Sequence, residues 1–600
     1  MIDEIFSNVF KRRSFILGLG KGVLLTGLLG RLIHLQIFNR DHYRTLSDKN
    51  RILMRLIAPP RGQIIDCTGR VLAMNQNVYR CLITPDPNMD IENTVSILQS
   101  LLKLNNYQEN ELKKQLFQQS KIASVVKERL TWNEMAALQL QFPDLPGLLI
   151  EKAQVRQYIN PEILCHLVGY VAQASPKDLE DYHLEPIPGL RIGKNGLEKK
   201  FQTLLNGKPG MQRVEVNARR RIVRIIDHTM PKVGRDLHLT INLALQEKVA
   251  ETLKQHRSAA AIVMDVETGA IKAMVSHPGY DSNLFVKGIQ KDEWKNLLTH
   301  EDKPLTNKTI TGQYSPGSTF KMVVALVALK EGLIDPKQHV HCPGHYDLGN
   351  HRFHCWTWKI GGHGTVNLED SIAKSCDVYF YHVAMQLGAL KISEMAIHLG
   401  FGELTGIDLL GEKKGLIPTP EWAKFRKGFF KQKGQAINMS IGQGVILSTP
   451  LQLARMMAML VNGGKIIKPH LVESETSKPV KYIEGIEQSW LALMHQGMVG
   501  CVNQPGGTAY GARPPNPDEW SFGGKTGSTQ VSRITMQQRH DGSYADLPYH
   551  LKDHALFVGF APLEKPKHAI SVIVEHGMSG GRVASPLGRD ILMAARSLDV

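Results

Sequence analysis

The sequence predicts an α+β protein carried on a single N-terminal transmembrane helix. Three observations predict it. One long apolar run, SFILGLGKGVLLTGLLGRLIHLQIF, stands near the start, and no second run of that length follows. A hairpin pattern, AAIVMDVETGAIKAMVSHP, has two β-rich stretches joined through a Glu-Thr-Gly turn. Two more strand patterns, HALFVGFAP and HAISVIVEHG, lie near the C-terminus beyond a helical middle, so one sheet is expected to draw on both ends of that segment.

The 600 residues are 42% apolar and 21% charged, ordinary globular composition with enough chain for several domains. A net charge of +16 favours an anionic neighbourhood: nucleic acid, a membrane surface or an acidic polymer. No RRM, KH, zinc-finger or helix-turn-helix signature supports nucleic acid, and the charge is spread along the chain. Lys11, Arg12 and Arg13 precede the apolar run, and Lys21 and Arg31 interrupt it, each toward one end, where it can snorkel to an interface. No small-residue cleavage site follows, so residues 14–38 read as an uncleaved anchor rather than a signal peptide. Arg40, Arg44, Lys49, Arg51 and Arg55 beyond the span divide the positive-inside vote. The short tail, 1–13, is expected in the cytoplasm and the large remainder outside.

Residues 39–240 mix the turn-rich strand pattern RGQIIDCTGRVLAMN, a helix at TVSILQSLLKLN and the basic run NARRRIVRI. From 241 the character changes. INLALQEKVAETLKQH reads as an amphipathic helix ahead of the hairpin, and PLGRDILMAARSL as a closing one. There is no fixed-period repeat and no low-complexity tract.

Chemistry concentrates in three short motifs. In SPGSTFKM, Ser318 and Lys321 stand three apart at the head of the apolar helix MVVALVALKEG, so their side chains share one face. A lysine in a first turn opposes the helix dipole, which leaves it unexplained by capping alone. Ser375-Cys376-Asp377 opens the helical stretch VYFYHVAMQLG, and GGKTGS (523–528) precedes strand-like residues. Alone, the second is a helix cap and the third a turn. In this order they match the SxxK, SxN or SxD, and KTG signature shared by penicillin-binding proteins and serine β-lactamases.

The chain resembles a class B penicillin-binding protein of the cell-elongation type. The likeness covers nearly the whole length and includes RGQIID, KNGLEKKFQTLLNGKPG (194–210), MDVETGAIKAMVSHPGYDSN and IGQGVILSTPLQLA (441–454). Asp377, in place of the more frequent Asn, and the VYFYHVA after it favour the elongation over the division enzyme. Ser528 stands where threonine is commoner. No glycosyltransferase-like block precedes the motifs, against a bifunctional class A protein.

The resemblance implies an elongated, non-catalytic, dimerisation-like pedestal over 39–240. It also implies a β-lactamase-like transpeptidase domain, an antiparallel sheet with helices, over 241–600. Its function would be D,D-transpeptidation of peptidoglycan during elongation, inhibited by β-lactams, at the inner membrane with the catalytic domain in the periplasm. Ser318 would be the nucleophile and Lys321 its base, with Lys525 the second cation. Ser375 would relay protons and Asp377 orient the group. The N–H groups of Ser318 and Ser528 would form the oxyanion hole. Thr526, Gly527 and Ser528, with Lys525, would bind the donor's terminal carboxylate. The substrate would be the D-alanyl-D-alanine end of a stem peptide, and the partners a membrane glycosyltransferase and other elongation-machinery proteins. The alternatives are a D,D-carboxypeptidase, a β-lactamase, and a non-catalytic β-lactam sensor or scaffold.

Seven cysteines are an odd number. Cys67, Cys81, Cys165 and Cys501 are scattered and read as buried hydrophobes or unpaired thiols. Cys342, Cys355, His363 and Cys376 supply three thiols and an imidazole, the ligand set of a closed structural zinc site. A Cys342–Cys355 disulfide is the alternative. Some elongation-type relatives are similar in holding one zinc ion beside the active site with Asp, His and Cys. Two of their Asp positions fall on Cys342 and Cys355, leaving Asp347 and His354 in reserve.

Overall fold

The computed structural model describes residues 2–39, 52–85, 89–117, 123–141, 145, 147–216, 222–426, 428–473, 480–532, 538 and 546–599. Arg40, Arg44, Lys49 and Arg51, and the 217–221 part of the basic run, lie outside the described residues. The chain opens with a helix over Ile2–Ile33 that widens into a π-helical turn over His34–Phe38. Within it Phe15–Phe38, 24 residues, is long and apolar enough to cross a membrane, and none of it is buried by the rest of the chain. Apolar side chains on every side of an unburied helix are what a lipid environment stabilises.

Two sheets follow. Ile52–Ile57 pairs antiparallel with Gly210–Val216, which pairs with Ile222–Thr229. The other sheet is built on the long strand Val71–Ile83, which takes Ile64–Ile65, Ser124–Lys127 and Leu148–Tyr158 as antiparallel partners. Leu237–His238 adds in parallel to Ile64–Ile65. The helix Ile91–Leu102 buries Val95, Leu98 and Leu102 against Cys81 and Ile83 of the long strand. The RGQIID and KNGLEKK segments meet at a buried ion triad. Arg61 Nε lies 2.6 Å and Arg156 Nε 2.7 Å from the two carboxylate oxygens of the fully buried Glu198. Burial pushes the Glu198 carboxyl up, but Arg156 and Arg61 outweigh it and hold it below the usual range. Removing one member of such a cluster leaves buried charge uncompensated, so Glu198→Gln is expected to cost about 3–5 kcal/mol by denaturant unfolding. Because the folded value is depressed, this stabilisation is full above the ordinary carboxylate range and fades as pH falls through the folded value. An unfolding midpoint unchanged in Glu198→Gln would contradict it.

The remaining chain forms one five-stranded antiparallel sheet in the order Ile271–His277, Ala259–Asp265, His568–Val574, His554–Ala561, Gly523–Thr529. As the sequence suggests, the early hairpin and the late strands join in one sheet. Alternation divides the sheet into two covered faces. Ala259, Ala261 and Val263 pack with Leu245, Val249, Ile591 and Leu592, from the helices Leu243–Leu253 and Ser585–Ser597. Ala260, Ile262 and Met264 face the other way, into a core with Phe320, Val324, Phe380 and Met456. Helices over Lys321–Lys330, Asp377–His398 and Pro450–Val461 fill that side. The middle of this domain is not purely helical. A strand pair, Val340–Cys342 with Gly364–Val366, and a hairpin between them in the chain, His345–Leu348 with His351–His354, interrupt it.

Candidate functional site

Ser318 lies in a 3-10 turn, Gly317–Phe320, that runs directly into the helix Lys321–Lys330. The turn is held from three sides. Gly317, at φ +58°, donates its N–H to Gly442 O at 3.0 Å. Thr319 Oγ1 donates to Pro316 O at 2.7 Å, and Thr529 Oγ1 to Ser315 O at 2.6 Å. Gly527 of the KTG motif presses on the same turn, since a Cβ there would stand 3.1 Å from Pro316 O. Ser318 Oγ itself makes no hydrogen bond among the described residues and is half-buried.

Lys321 is fully buried. Its Nζ donates to Asp377 Oδ1 at 2.7 Å, to Ser375 O at 2.9 Å and to Ser375 Oγ at 3.2 Å. Three protons for three acceptors is the pattern of an ammonium. Ser375 adopts φ +54°, a left-handed conformation that a non-glycine residue holds only when its surroundings fix it. Asp377 is the first residue of its helix, and its second oxygen accepts from Trp356 N–H at 3.1 Å. Burial raises the Asp377 carboxyl, Lys321 opposes that, and Cys355 adds to the rise.

Lys525 is fully buried on the strand Gly523–Thr529. Burial pushes its ammonium down to about 8; Cys501 resists the shift and Lys321 adds to it. Thr526 beside it is buried, while Ser528 opens to solvent. Ser528 Oγ accepts from Gly580 N–H at 3.2 Å, and its carbonyl from Gln443 Nε2 at 3.3 Å. The structure thus gathers all three motifs. Trp356, Gln443 and Gly580 also join the site; Gln443 falls in the IGQG stretch that the resemblance includes, while Trp356 and Gly580 act through main-chain groups that no local pattern in the sequence marks.

Cys342, Cys355, His363 and Cys376 also come together, their ligand atoms all within 4.8 Å of one another. All seven cysteines are free, so Cys342 and Cys355 form no disulfide here. His363 Nδ1 lies 3.4 Å from Cys355 Sγ and 3.7 Å from Cys342 Sγ. Ligands of a tetrahedral ion bound at about 2.1–2.3 Å stand roughly 3.6–3.8 Å apart, so spacing and donor types both fit a metal. Hydrogen bonds from Cys342 and then Cys376 pull the Cys355 thiol down toward thiolate. Burial works against charge on His363, but Cys342 and Cys355 hold the imidazole up at about 9. Neither reserve residue belongs to the cluster: Asp347 is paired with Arg352 at 2.7 Å on an exposed hairpin, and the His354 ring packs against Trp358. The cluster touches the motif residues directly, since Cys376 separates Ser375 from Asp377 and Asp377 N–H donates to Cys355 Sγ at 3.4 Å.

Comparison with known proteins agrees with this architecture. The family described as penicillin binding protein transpeptidase domain matches residues 259–593, and that described as penicillin-binding protein dimerisation domain matches residues 56–239. The chain is 35% identical to the peptidoglycan D,D-transpeptidase MrdA of Acinetobacter baumannii, over 94% of this chain and 84% of that protein. It is similar to PBP2 of Helicobacter pylori as solved in complex with MreC. That similarity has a TM-score of 0.78 at 29% identity, covering 91% of this chain and 99% of the other. A chain of a peptidoglycan synthase complex, solved in a study of how polymerization and crosslinking are coordinated, is similar with a TM-score of 0.69 at 27% identity, covering 97% and 98%. With a dimerisation domain followed by a transpeptidase domain over nearly its full length, the chain belongs to the class B penicillin-binding proteins.

Proposed function

We propose that this protein is a peptidoglycan D,D-transpeptidase of cell elongation, a counterpart of penicillin-binding protein 2, acting through an acyl-serine. The observation that carries the site reading is Lys321 Nζ, which reaches both Ser375 Oγ and Asp377 while standing one turn from Ser318. In the reaction, Lys321 passes one ammonium proton to Asp377 Oδ1, 2.7 Å away, and as the neutral amine so formed takes the Ser318 Oγ proton as Oγ bonds to the carbonyl carbon of the penultimate D-alanine. The carbonyl electron pair moves to oxygen, held by the N–H groups of Ser318 and Ser528; such stabilisation is worth about 3–4 kcal/mol. Collapse breaks the peptide bond, and the departing amine of the terminal D-alanine receives a proton from Lys321 through Ser375. An amine of a neighbouring strand then attacks the ester, its proton passes to Ser318, and the cross-link forms. Asp377 orients Lys321. Lys525, Thr526 and Ser528 bind the donor carboxylate, with Gly527 giving room for the nucleophile turn.

Fluorescent penicillin is expected to label the protein and not Ser318→Ala; labelling of that variant would remove Ser318 from the mechanism. Analysis of cross-linked products separates a transpeptidase from a carboxypeptidase, which releases D-alanine to water. A β-lactamase has no use for an anchor and pedestal, and relatives at this identity are named transpeptidases. Below about pH 8 Lys525 carries its charge. Affinity for penicillin should therefore fall as pH rises through that value, while affinity for the penicillin methyl ester should not. Parallel pH profiles for the two would take Lys525 out of carboxylate binding.

Residues 39–240 serve as the pedestal and 241–600 as the transpeptidase domain, with 14–38 the single-pass anchor in the inner membrane, 1–13 in the cytoplasm and the catalytic domain in the periplasm. Binding of an MreC-like protein is supported by the PBP2–MreC complex, and assembly with a polymerizing partner, which the resemblance implies to be a membrane glycosyltransferase, by the similar chain of a peptidoglycan synthase complex. Cys342, Cys355, His363 and Cys376 would hold one structural zinc ion, whose role would be to fix the segments that carry them beside the Ser375 turn. Purified protein is expected to contain about one zinc per chain. Cys376→Ser should lose it and acylate more slowly; a zinc-free protein with two fewer titratable thiols would establish the disulfide instead.

A further inference from the structure

Beyond the three motifs, one chain of hydrogen bonds ends on a motif residue and has no role in the mechanism above. Cys501, fully buried on the helix Gln488–Asn503, places Sγ 3.2 Å from Thr508 Oγ1. Thr508 Oγ1 in turn lies 2.6 Å from Thr526 Oγ1. The main chain of Thr508 is held by two other parts of the site. Its N–H donates to Ala373 O at 3.2 Å, two residues ahead of Ser375. Its carbonyl lies so near Gly581 that a Cβ there would stand 2.2 Å from it, and Gly581 follows the glycine whose N–H holds Ser528. Thr508 is thus the point at which the Ser375 turn, the KTG strand and the 580–584 segment meet.

We propose that Thr508 is a positioning residue that aims the Thr526 hydroxyl proton at the donor's carboxylate, and that the Cys501 thiol sets its direction. The inference rests on the reading of Thr526 as a carboxylate ligand. The argument is one of donors and acceptors. A thiol is a weak acceptor and a hydroxyl a better one. Thr508 therefore gives its proton to Thr526 Oγ1 and takes the Cys501 S–H on its own oxygen. Thr526, its oxygen already engaged as an acceptor, is left with its proton free for the donor's carboxylate. Without the Thr508 hydroxyl, Thr526 rotates to another acceptor, and a carboxylate loses a preoriented donor.

The test compares acylation of the full-length protein by benzylpenicillin and by its methyl ester. Thr508→Val, which keeps the shape and removes the hydroxyl, is expected to slow benzylpenicillin about tenfold, the loss of one hydrogen bond of ~1.4 kcal/mol. It should leave the ester rate within about twofold, a change below what one lost hydrogen bond produces. Thr508→Ser should restore the benzylpenicillin rate, and Cys501→Ala should show a smaller loss of the same selectivity. Equal losses on both substrates, or no loss on either, would overturn the positioning role; equal losses with a lowered melting temperature would mark a structural one. Thr526→Val provides the separate check. If it is carboxylate-selective while Thr508→Val is not, the relay fails alone. If Thr526→Val shows no selectivity, the carboxylate reading fails and the relay falls with it.

Discussion

Lys321→Ala is expected to lower the rate of acylation by penicillin about 10³–10⁴-fold, the upper range for loss of a general base. The structure adds a consequence for stability. Lys321 is the charged partner of Asp377, a carboxylate buried at the head of its helix. Without it only the Trp356 N–H opposes burial and the neighbouring Cys355, which raise the Asp377 carboxyl, so protonation of Asp377 is favoured further. The variant should therefore fold with a lowered melting temperature, and Lys321→Ala with Asp377→Asn should recover stability without recovering acylation. Time-resolved labelling with fluorescent penicillin, with a thermal melt on each variant, reads both effects. Normal labelling in Lys321→Ala would remove it from the mechanism.

Gly442→Ala is expected to cost about 100-fold in acylation although residue 442 touches no reacting atom, because misplacing a nucleophile by about 1 Å has that effect. Gly442 sits at φ +67°, and a Cβ built there would stand 2.2 Å from Gly317 O and 2.8 Å from Gly317 N. Only glycine fits, since the methyl group would drive the nucleophile turn off the IGQG loop. The alanine variant should keep its tryptophan fluorescence and most of its thermal stability while its labelling slows. An acylation rate equal to the parent's would show that the turn does not rest on Gly442.

Much of the architecture was readable in advance. The hairpin at 259–277 and the late strands show as short β-rich apolar runs bounded by turn residues, because both faces of their sheet are covered, and the closing helix shows as an amphipathic repeat. The two small strand pairs at 340–366 are not legible in the sequence. Their strands are three or four residues long, carry His, Arg and Cys in place of alternating apolar residues, and are fixed by what they pack against. The sequence reads Cys501 as a small buried hydrophobe or an unpaired thiol, and it is buried and free; its bond to Thr508 is a tertiary fact.

By itself the sequence determined the membrane-compatible helix, the α+β class, and the identity and order of Ser318, Lys321, Ser375, Asp377 and the KTG residues. Each of these depends on composition or on spacing along one stretch of chain. Only the tertiary structure decided that Lys321 is committed to Asp377 and Ser375, while Ser318 Oγ has no hydrogen-bond partner among the described residues. It also decided that four metal-type ligands spread over 35 positions, 342 to 376, converge, with Asp347 and His354 outside them. The reason is physical. Those contacts join residues that lie far apart in the chain, and their distances are set by how the helices Lys321–Lys330 and Asp377–His398 pack together over the sheet, which no local pattern records.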